Sequence, residues 1–444
     1  MSLSMEGVLA LAPDESSAKA ARGLLAPAGW PSLGANAAAV WGECKGSGAK
    51  PYQTQVDLAG PAFRCSCPSR KFPCKHGLAL LMLHVQQQNL FEAADAPAWV
   101  DEWLNSRQEK AQKKEERQQA AAPAPDPQAA LKREAQRWTR IEQAAQDLQR
   151  WLADQLARGL GAQQGEALKA WQTMSARLVD AQVPGLAQRL REAMAGLHQG
   201  TDWPERSLHR LGLLQLACEA LQRRAELSPA LQDELRSLAG WPHDKAEVLS
   251  QGERIEDRWI VLGSLSEARD DRLTERRVWL HGVGSGRRAW LLDHAFGGQG
   301  FEQSWLVGAC MAGPLSFYPG TAGLRALAAE GLLRPEAALA PPTRPIEDEW
   351  LMLGRRVAAS PWVGLHPMLL GAATLLRGGE GWLVAAQGQV LPARIADADA
   401  WSLLACRGGA PSTLMGEWDG QVLRPLSAWA DGSTSPDWQC GSPA

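Results

Sequence analysis

Three cysteines and a histidine fall within twelve residues of this chain, Cys65, Cys67, Cys74 and His76, in the spacing C-x-C-x6-C-x-H. Three soft thiolates and one imidazole are the donors of a closed, tetrahedral zinc site. The two sulfurs of a C-x-C pair converge on one ion only where the backbone turns, and Pro68 just beyond favours that turn. The C-x-H pair supplies the other two ligands. All four corners of the ion are then filled, whereas a catalytic zinc keeps one position open for water or substrate. The spacing therefore predicts one structural Zn2+ per chain and assigns no bond-making chemistry to it. An iron–sulfur cluster is the weaker fit, because histidine ligation is rarer there. Accidental clustering in a core fits poorly with the Ser, Arg, Lys and Pro that share the segment. Cys44, in WGECKG, is a spare thiol near the motif, and His84 lies too far along the chain from His76 to serve as a ligand.

The surrounding residues must hold these four side chains together. Tyr52 to Leu58 alternates in the manner of a strand, Ala59-Gly60-Pro61 turns the chain, and Ala62 to Cys65 fits a second strand that delivers Cys65 and Cys67. After Pro73, the run HGLALLMLHVQQQNLF reads as a helix. Cys74 and His76 then stand at its start, where free amides and the positive helix end favour a thiolate. Residues 41–76 carry six basic side chains against Glu43 and Asp57, a local excess of four. A zinc bound by three thiolates contributes about −1 and lowers that excess. Arg64, Arg70, Lys71 and Lys75 are thus candidate contacts to a partner or to nucleic acid phosphates. The plainer alternative is that they solvate a small module.

The stretch FRCSCPSRKFPCKHGLALLM resembles the SWIM zinc finger and matches its motif at Cys65, Cys67, Cys74 and His76. The resemblance covers roughly residues 38–90. Proteins with such fingers include bacterial helicase-like ATPases, plant transposase-like proteins and some ubiquitin ligases, so it implies binding to DNA or to protein. The rest of the chain is similar to uncharacterised bacterial SWIM-domain proteins, encoded near genes for MoxR-type ATPases and von Willebrand A domain proteins. That similarity implies a protein of either kind as the partner.

At 444 residues the chain has room for two to four domains, each with a real core. Its net charge of −3, from 46 basic and 49 acidic residues, excludes a global attraction to polyanions. Eight scattered cysteines are not a disulfide framework and fit a reducing compartment. The opening residues lack a basic, apolar signal pattern, and the longest apolar runs fall short of a membrane span, so the expected location is cytoplasmic, away from membranes.

The composition shifts along the chain imply a multidomain α+β protein. Residues 1–37 read as a helical lead-in, 38–105 as the ββα zinc module with a flanking helix, and 106–130 as a charged, Pro/Ala-rich linker. A helical domain spans 131–242, with Trp138, Ile141, Ala145, Leu148, Leu152, Leu156 and Leu160 at helical spacing. A mixed α/β domain spans 243–345, and a helix with a small antiparallel β unit spans 346–444. Within these, Trp259–Leu262, Arg277–His281 and Ala289–Leu292 read as strands, Gly320–Glu330 and 346–376 as helical, and Gly381–Val384, Gly388–Pro392, Trp401–Ala405 and Thr413–Leu423 as strands. No repeat of fixed period is visible. The Gly-rich stretch Gly282–Arg288 lacks the order of a phosphate loop and reads as a hairpin turn. His281, Asp293, His294 and Glu302 could be imagined as a carboxylate–histidine site, but no spacing enforces it. The sequence thus favours a protein-interaction adaptor or scaffold within an ATPase-associated complex. DNA binding through the basic finger comes next, and an enzyme in residues 245–440 last.

Overall fold

In a computed structural model of the chain, the structure describes residues 5–9, 11–12, 15–46, 50–58, 62–69, 73–119, 127–162, 166–195, 197–200, 202–269, 273–296, 301, 303, 305–329, 333–379 and 381–441. The N-terminal unit opens with α1 (Met5–Leu9) and α2 (Glu15–Arg22), then β1 (Ser32–Ala35), β2 (Ala39–Cys44), β3 (Tyr52–Asp57) and β4 (Ala62–Cys65). α3 (Lys75–Gln86), β5 (Glu92–Ala93) and α4 (Ala98–Gln119) follow. The sheet order is β4-β3-β2-β1-β5, antiparallel except where β5 joins β1. The hairpin read from the sequence is thus two strands of a five-stranded sheet, to which the lead-in contributes β1. Its two faces are used differently. Val40, Val56 and Phe63 pack under α3, whose apolar run Leu78–Leu83 is fully buried, together with Val8 and Ala21 from α1 and α2. On the other face Ala39 and Trp41 pack against Val100 of α4. The period-2 alternation of strand side chains allows this double cover. The charged segment after residue 105 begins as helix, with α4 continuing to Gln119.

The central region is helical: α5 (Pro127–Arg158), α6 (Glu166–Asp180), α7 (Pro184–Met194), α8 (Trp203–Gln222) and α9 (Pro229–Leu238). Proline in the first turn starts α7, α8 and α9, where its missing N–H costs no helical bond. Trp138, Ile141, Ala145, Leu148 and Leu152 form the buried stripe of α5 and meet Leu211, Leu214 and Cys218 of α8 in one core.

The remainder is two sheets of six strands. After α10 (Lys245–Gln251), capped by the Asp244 carboxylate on the Ala246 amide at 2.7 Å, come β6 (Glu253–Ala268), β7 (Leu273–Gly282), β8 (Arg288–Phe296), β9 (Cys310–Phe317), β10 (Ala326–Ala328) and β11 (Arg334–Glu336). β6 lies between β7 and β9, β8 flanks β7, and β10 flanks β9. The sheet curls until Trp290 of β8 forms a parallel bridge to Arg325, with the Trp290 amide donating to the Leu324 carbonyl at 2.8 Å. Then α11 (Ile346–Ala359), β12 (His366–Arg377), β13 (Trp382–Ala386), β14 (Gln389–Ala393), α12 (Asp397–Arg407), β15 (Ser412–Trp418), β16 (Leu423–Trp429) and β17 (Trp438–Gln439) repeat that plan. β12 lies between β13 and β15, β16 flanks β15, and β14 closes onto β16 through a parallel pairing of Ala393 with Leu423. Both units are therefore five-stranded barrels of one topology, a structural repeat with no matching sequence period.

This is the multidomain α+β arrangement read from the sequence, with three local corrections. Gly320–Glu330 is not helical. Gly320 and Gly323 adopt positive φ of 137° and 57°, which interrupts any helix, and only the short β10 forms. Residues 346–376 are helical only as far as Ala359, beyond which Pro361 and Gly364 lead into β12. Trp401–Ala405 is not a strand but part of α12, whose Asp397 and Asp399 at the start and Arg407 at the end suit the helix dipole, and whose stop is Gly408 at φ 57°.

The barrels are locked face to face by a buried ion pair. Arg277 of β7 donates to Glu417 of β15 through Nε at 3.0 Å and Nη2 at 3.2 Å, and Trp279 Nε1 donates to the same carboxylate at 2.8 Å. The side chains of Arg277 and Glu417 are only 6% and 2% exposed. Gly263 permits this approach, since a Cβ there would meet Leu426 at 3.1 Å. The helical region is tied in through Glu234, which accepts from the Thr321 amide at 3.1 Å and the Ser360 hydroxyl at 2.8 Å. Breaking a buried pair leaves the other charge uncompensated. Glu417→Gln is expected to destabilise the barrel pair by about 3 kcal/mol. Denaturant unfolding followed by tryptophan emission measures this, and an unchanged midpoint would remove the pair from the account of how the barrels are held.

Candidate metal centre

The four motif side chains come from three consecutive pieces of backbone. Cys65 ends β4, where its residue pairs with Thr54 of β3. Ser66 then makes two bonds back to Gln53. Its amide donates to the Gln53 carbonyl at 2.9 Å, and its hydroxyl accepts from the Gln53 amide at 3.0 Å. That pin turns the chain, so Cys67 returns toward Cys65. Cys74 occupies the extended residue ahead of α3, with φ −75° and ψ 162°. His76 sits in the first turn of that helix. Gly77 follows, and a Cβ there would stand 3.0 Å from the Phe63 ring, so glycine lets the start of α3 settle against β4.

The ligand atoms of Cys65, Cys67, Cys74 and His76 all lie within 4.8 Å of one another. Nδ1 of His76 is 3.8 Å from the Cys65 sulfur and 4.0 Å from that of Cys74. A tetrahedron with arms of about 2.3 Å to sulfur has edges near 3.8 Å, so the donor set fits Zn2+ with little contraction. Cys74 and His76 are buried, and Cys65 and Cys67 are half-buried. Among the described residues no other group of His, Cys, Asp and Glu side chains gathers in this way.

Without a cation the surroundings favour negative charge on one sulfur only, and burial raises the thiol of Cys67. The contact with Cys65 lowers the Cys74 thiol to about 4 against the opposing cost of burial, with help from His76 and the Gly77 amide. Cys65 is raised correspondingly, by its bond to Cys74 and by burial. Of the two, Cys74 is the sulfur that gives up its proton more readily. Cys65, Cys67, Cys74 and His76 would hold a divalent cation, whose charge would let the three sulfurs bind as thiolates. The Thr54 hydroxyl stands 3.2 Å from the Cys65 sulfur, and the Tyr52 ring lies 5.0 Å from the His76 ring. Both orient ligands from β3. Sequence reasoning passed over Thr54, whose role depends on strand register.

The other candidates disperse. Cys44 is buried on β2, where burial raises its thiol, and stands outside the four-residue group. His84 packs edge-on to Phe91 at 5.0 Å. Arg64 and Lys75 are exposed on either side of the ligands, whereas Arg70 and Lys71 lie outside the described residues. Asp293 pairs with Arg276 at 2.5 Å, His294 faces Glu275 at 3.7 Å, and His281 contacts Arg288 at 2.5 Å. Glu302 lies outside the described residues. The Gly-rich turn between β7 and β8 does cradle an anion, but the anion is the chain's own Asp257 carboxylate, bonded to the Gly284 amide at 2.8 Å and the Ser285 amide at 2.7 Å.

A family model for the SWIM zinc finger matches residues 52–84, and one for the SWIM-associated four-helix bundle domain matches residues 136–239. No curated protein and no solved structure matches the chain. The chain thus carries a SWIM zinc-finger domain followed by its associated helical bundle, both of them interaction modules without catalytic activity. No described helix is long and apolar enough to cross a membrane.

Metal analysis of reduced protein is expected to give one zinc per chain. Cys74→Ala is expected to abolish binding, and Thr54→Val to weaken it by about 10- to 100-fold, the usual effect of losing a group that orients a ligand. Competition with a chromogenic chelator reads both. Undiminished zinc in Cys74→Ala would overturn the ligand set.

Proposed function

We propose that this protein is a zinc-braced adaptor that joins protein partners, with the finger as a rigid recognition module and the bundle and barrels as further docking units. The observation that carries the reading is the closed ligand set. Cys65, Cys67, Cys74 and His76 lie within 4.8 Å of one another and would fill the four corners of a tetrahedral ion, leaving no position for substrate, so the metal would fix shape. The mild acidity of the whole chain supports a protein partner over a polyanion. Free cysteines throughout the chain fit a reducing, cytoplasmic setting. The sequence resemblance supports an ATPase-associated assembly, with a MoxR-type ATPase or a von Willebrand A domain protein as the partner.

A second reading has its own observation. Arg64 and Lys75 are exposed beside the ligands, in a sequence where Arg70 and Lys71 add two more charges. That pattern suits phosphate contact. The two readings differ in salt dependence. Binding to duplex DNA falls with log salt, with a slope that shrinks by about 0.9 for each phosphate contact removed. For the adaptor reading, complexes captured on zinc-loaded protein are expected to survive nuclease and a several-fold rise in salt, and to be indifferent to neutralising Arg64, Arg70, Lys71 and Lys75. Partners lost on nuclease treatment would overturn the adaptor reading in favour of nucleic acid.

A further inference from the structure

The closing order of both barrels is first, second, third, fifth, fourth, with the fourth strand back against the first and the third and fifth running parallel. In the second barrel α12 lies between the third and fourth strands. This is the closure of the oligonucleotide/oligosaccharide-binding barrel, whose ligand face is the outer surface of strands two and three. In the first barrel that face is filled from within the chain. The outward row Gly263, Trp279 and Trp290 lies under Met415, Leu426 and Glu417 of the second barrel, and Arg288 reaches Glu349 of α11 at 2.9 Å.

The same face of the second barrel is open. Alternation puts Leu375, Val384 and Leu391 in the barrel core. Two rows then face outward across β12, β13 and β14: Leu376, Leu383 and Pro392, and Thr374, Ala385 and Val390. Leu376 is 41% exposed and Val390 56%. None of the six is charged, and five are apolar. Elsewhere on this barrel Trp401 of α12, 59% exposed, stands edge-on to the core residue Trp382 with ring centres 5.3 Å apart.

We propose that this face is a docking surface for a different protein that presents an uncharged, apolar segment. Charge argues against the ligands usual for the topology. Residues 366–441 hold four arginines and no lysine against five aspartates and two glutamates. Arg377 and Arg394, next to the face, are already paired with Asp397 at 3.3 Å and Asp419 at 2.5 Å. Among the described residues of 366–441 every arginine is paired with a carboxylate, and phosphate neutralisation is what drives such binding. The face also lacks the polar groups that a sugar chain would require. A second copy is disfavoured as well, because the surface of this chain that covers such a face, the outer side of β15 and β16, is already buried against the first barrel. An apolar sheet face matches the composition of a protein contact, and in the first barrel the same face is covered by apolar side chains of this chain, Met415 and Leu426.

The proposal rests on the adaptor reading only in taking a protein as the partner, and its test does not involve the finger. Full-length zinc-loaded protein is incubated with an array of short peptides graded from apolar to charged, with oligo-dT, and with a cello-oligosaccharide. Uncharged apolar peptides are expected to bind, and Leu383→Lys and Val390→Lys each to weaken them by about tenfold or more. Zinc content and the unfolding midpoint should stay as in the parent, and Leu376→Ser serves if either lysine variant is unstable. Peptide binding indifferent to all three face variants would overturn the proposal. So would oligo-dT or cello-oligosaccharide binding that they abolish, or a dimer that they dissociate. Nuclease-sensitive partners, by contrast, would count against the adaptor reading alone.

Discussion

Three sulfurs and an imidazole nitrogen crowded within 4.8 Å cannot all carry their preferred charge unless a cation sits among them. The N-terminal unit depends on that constraint. β4 ends and α3 begins at these ligands. The sheet and helix share a real apolar core, so the centre does not create the fold single-handedly. It sets where the helix starts relative to the strand edge, and so where Arg64 and Lys75 stand. The pin of Ser66 on Gln53 and the close seat of Gly77 against Phe63 show the same end of the sheet being made to a tight tolerance.

Farther along, the constraint is different. Two barrels of one topology meet through a face that would otherwise be open on the first, and the contact includes charges as well as apolar side chains. Arg277, Glu417 and Glu267 are drawn into one network, with Arg424 bonded to Glu267 at 2.6 Å. Burial of such a network costs desolvation and contributes mainly orientation. Glu234 plays a comparable part between the helical region and the barrels, and Arg189 adds a bond to the Trp362 carbonyl at 2.9 Å.

The ligand set was legible because its four residues are close in sequence and chemically unmistakable. The strands around it were legible as well, since Tyr52–Asp57 alternates and a Gly-Pro turn follows. Thr54 was not, because its contact with Cys65 is set by strand register and nothing local encodes register. The stripe of α5 announced its helix through Trp138, Ile141 and Leu148, yet Leu156 on the same sequence period is 42% exposed. In the C-terminal half the hairpin of β7 and β8 was visible in its Gly-Ser-Gly turn. The helix α12 was not, since Trp401, Leu403 and Leu404 carry no clear period and resemble the strands on either side. The repeated barrel escaped notice for a related reason. What the two units share is the order in which strands pair, and the segments joining β8 to β9 and β14 to β15 differ in kind.

A duplicated barrel with one copy shielded and one copy bare sets unequal rules for how the chain can change over time. Trp279 and Arg277 can be replaced only if Glu417, in the same gene, changes with them, so that face is expected to drift slowly and in matched steps. Leu383 and Val390 have no such counterpart among the described residues. Their drift is limited by solubility and by whatever other gene encodes a surface fitted to them. Among relatives of this protein, covariation should therefore run within the chain for the first barrel and between chains for the second.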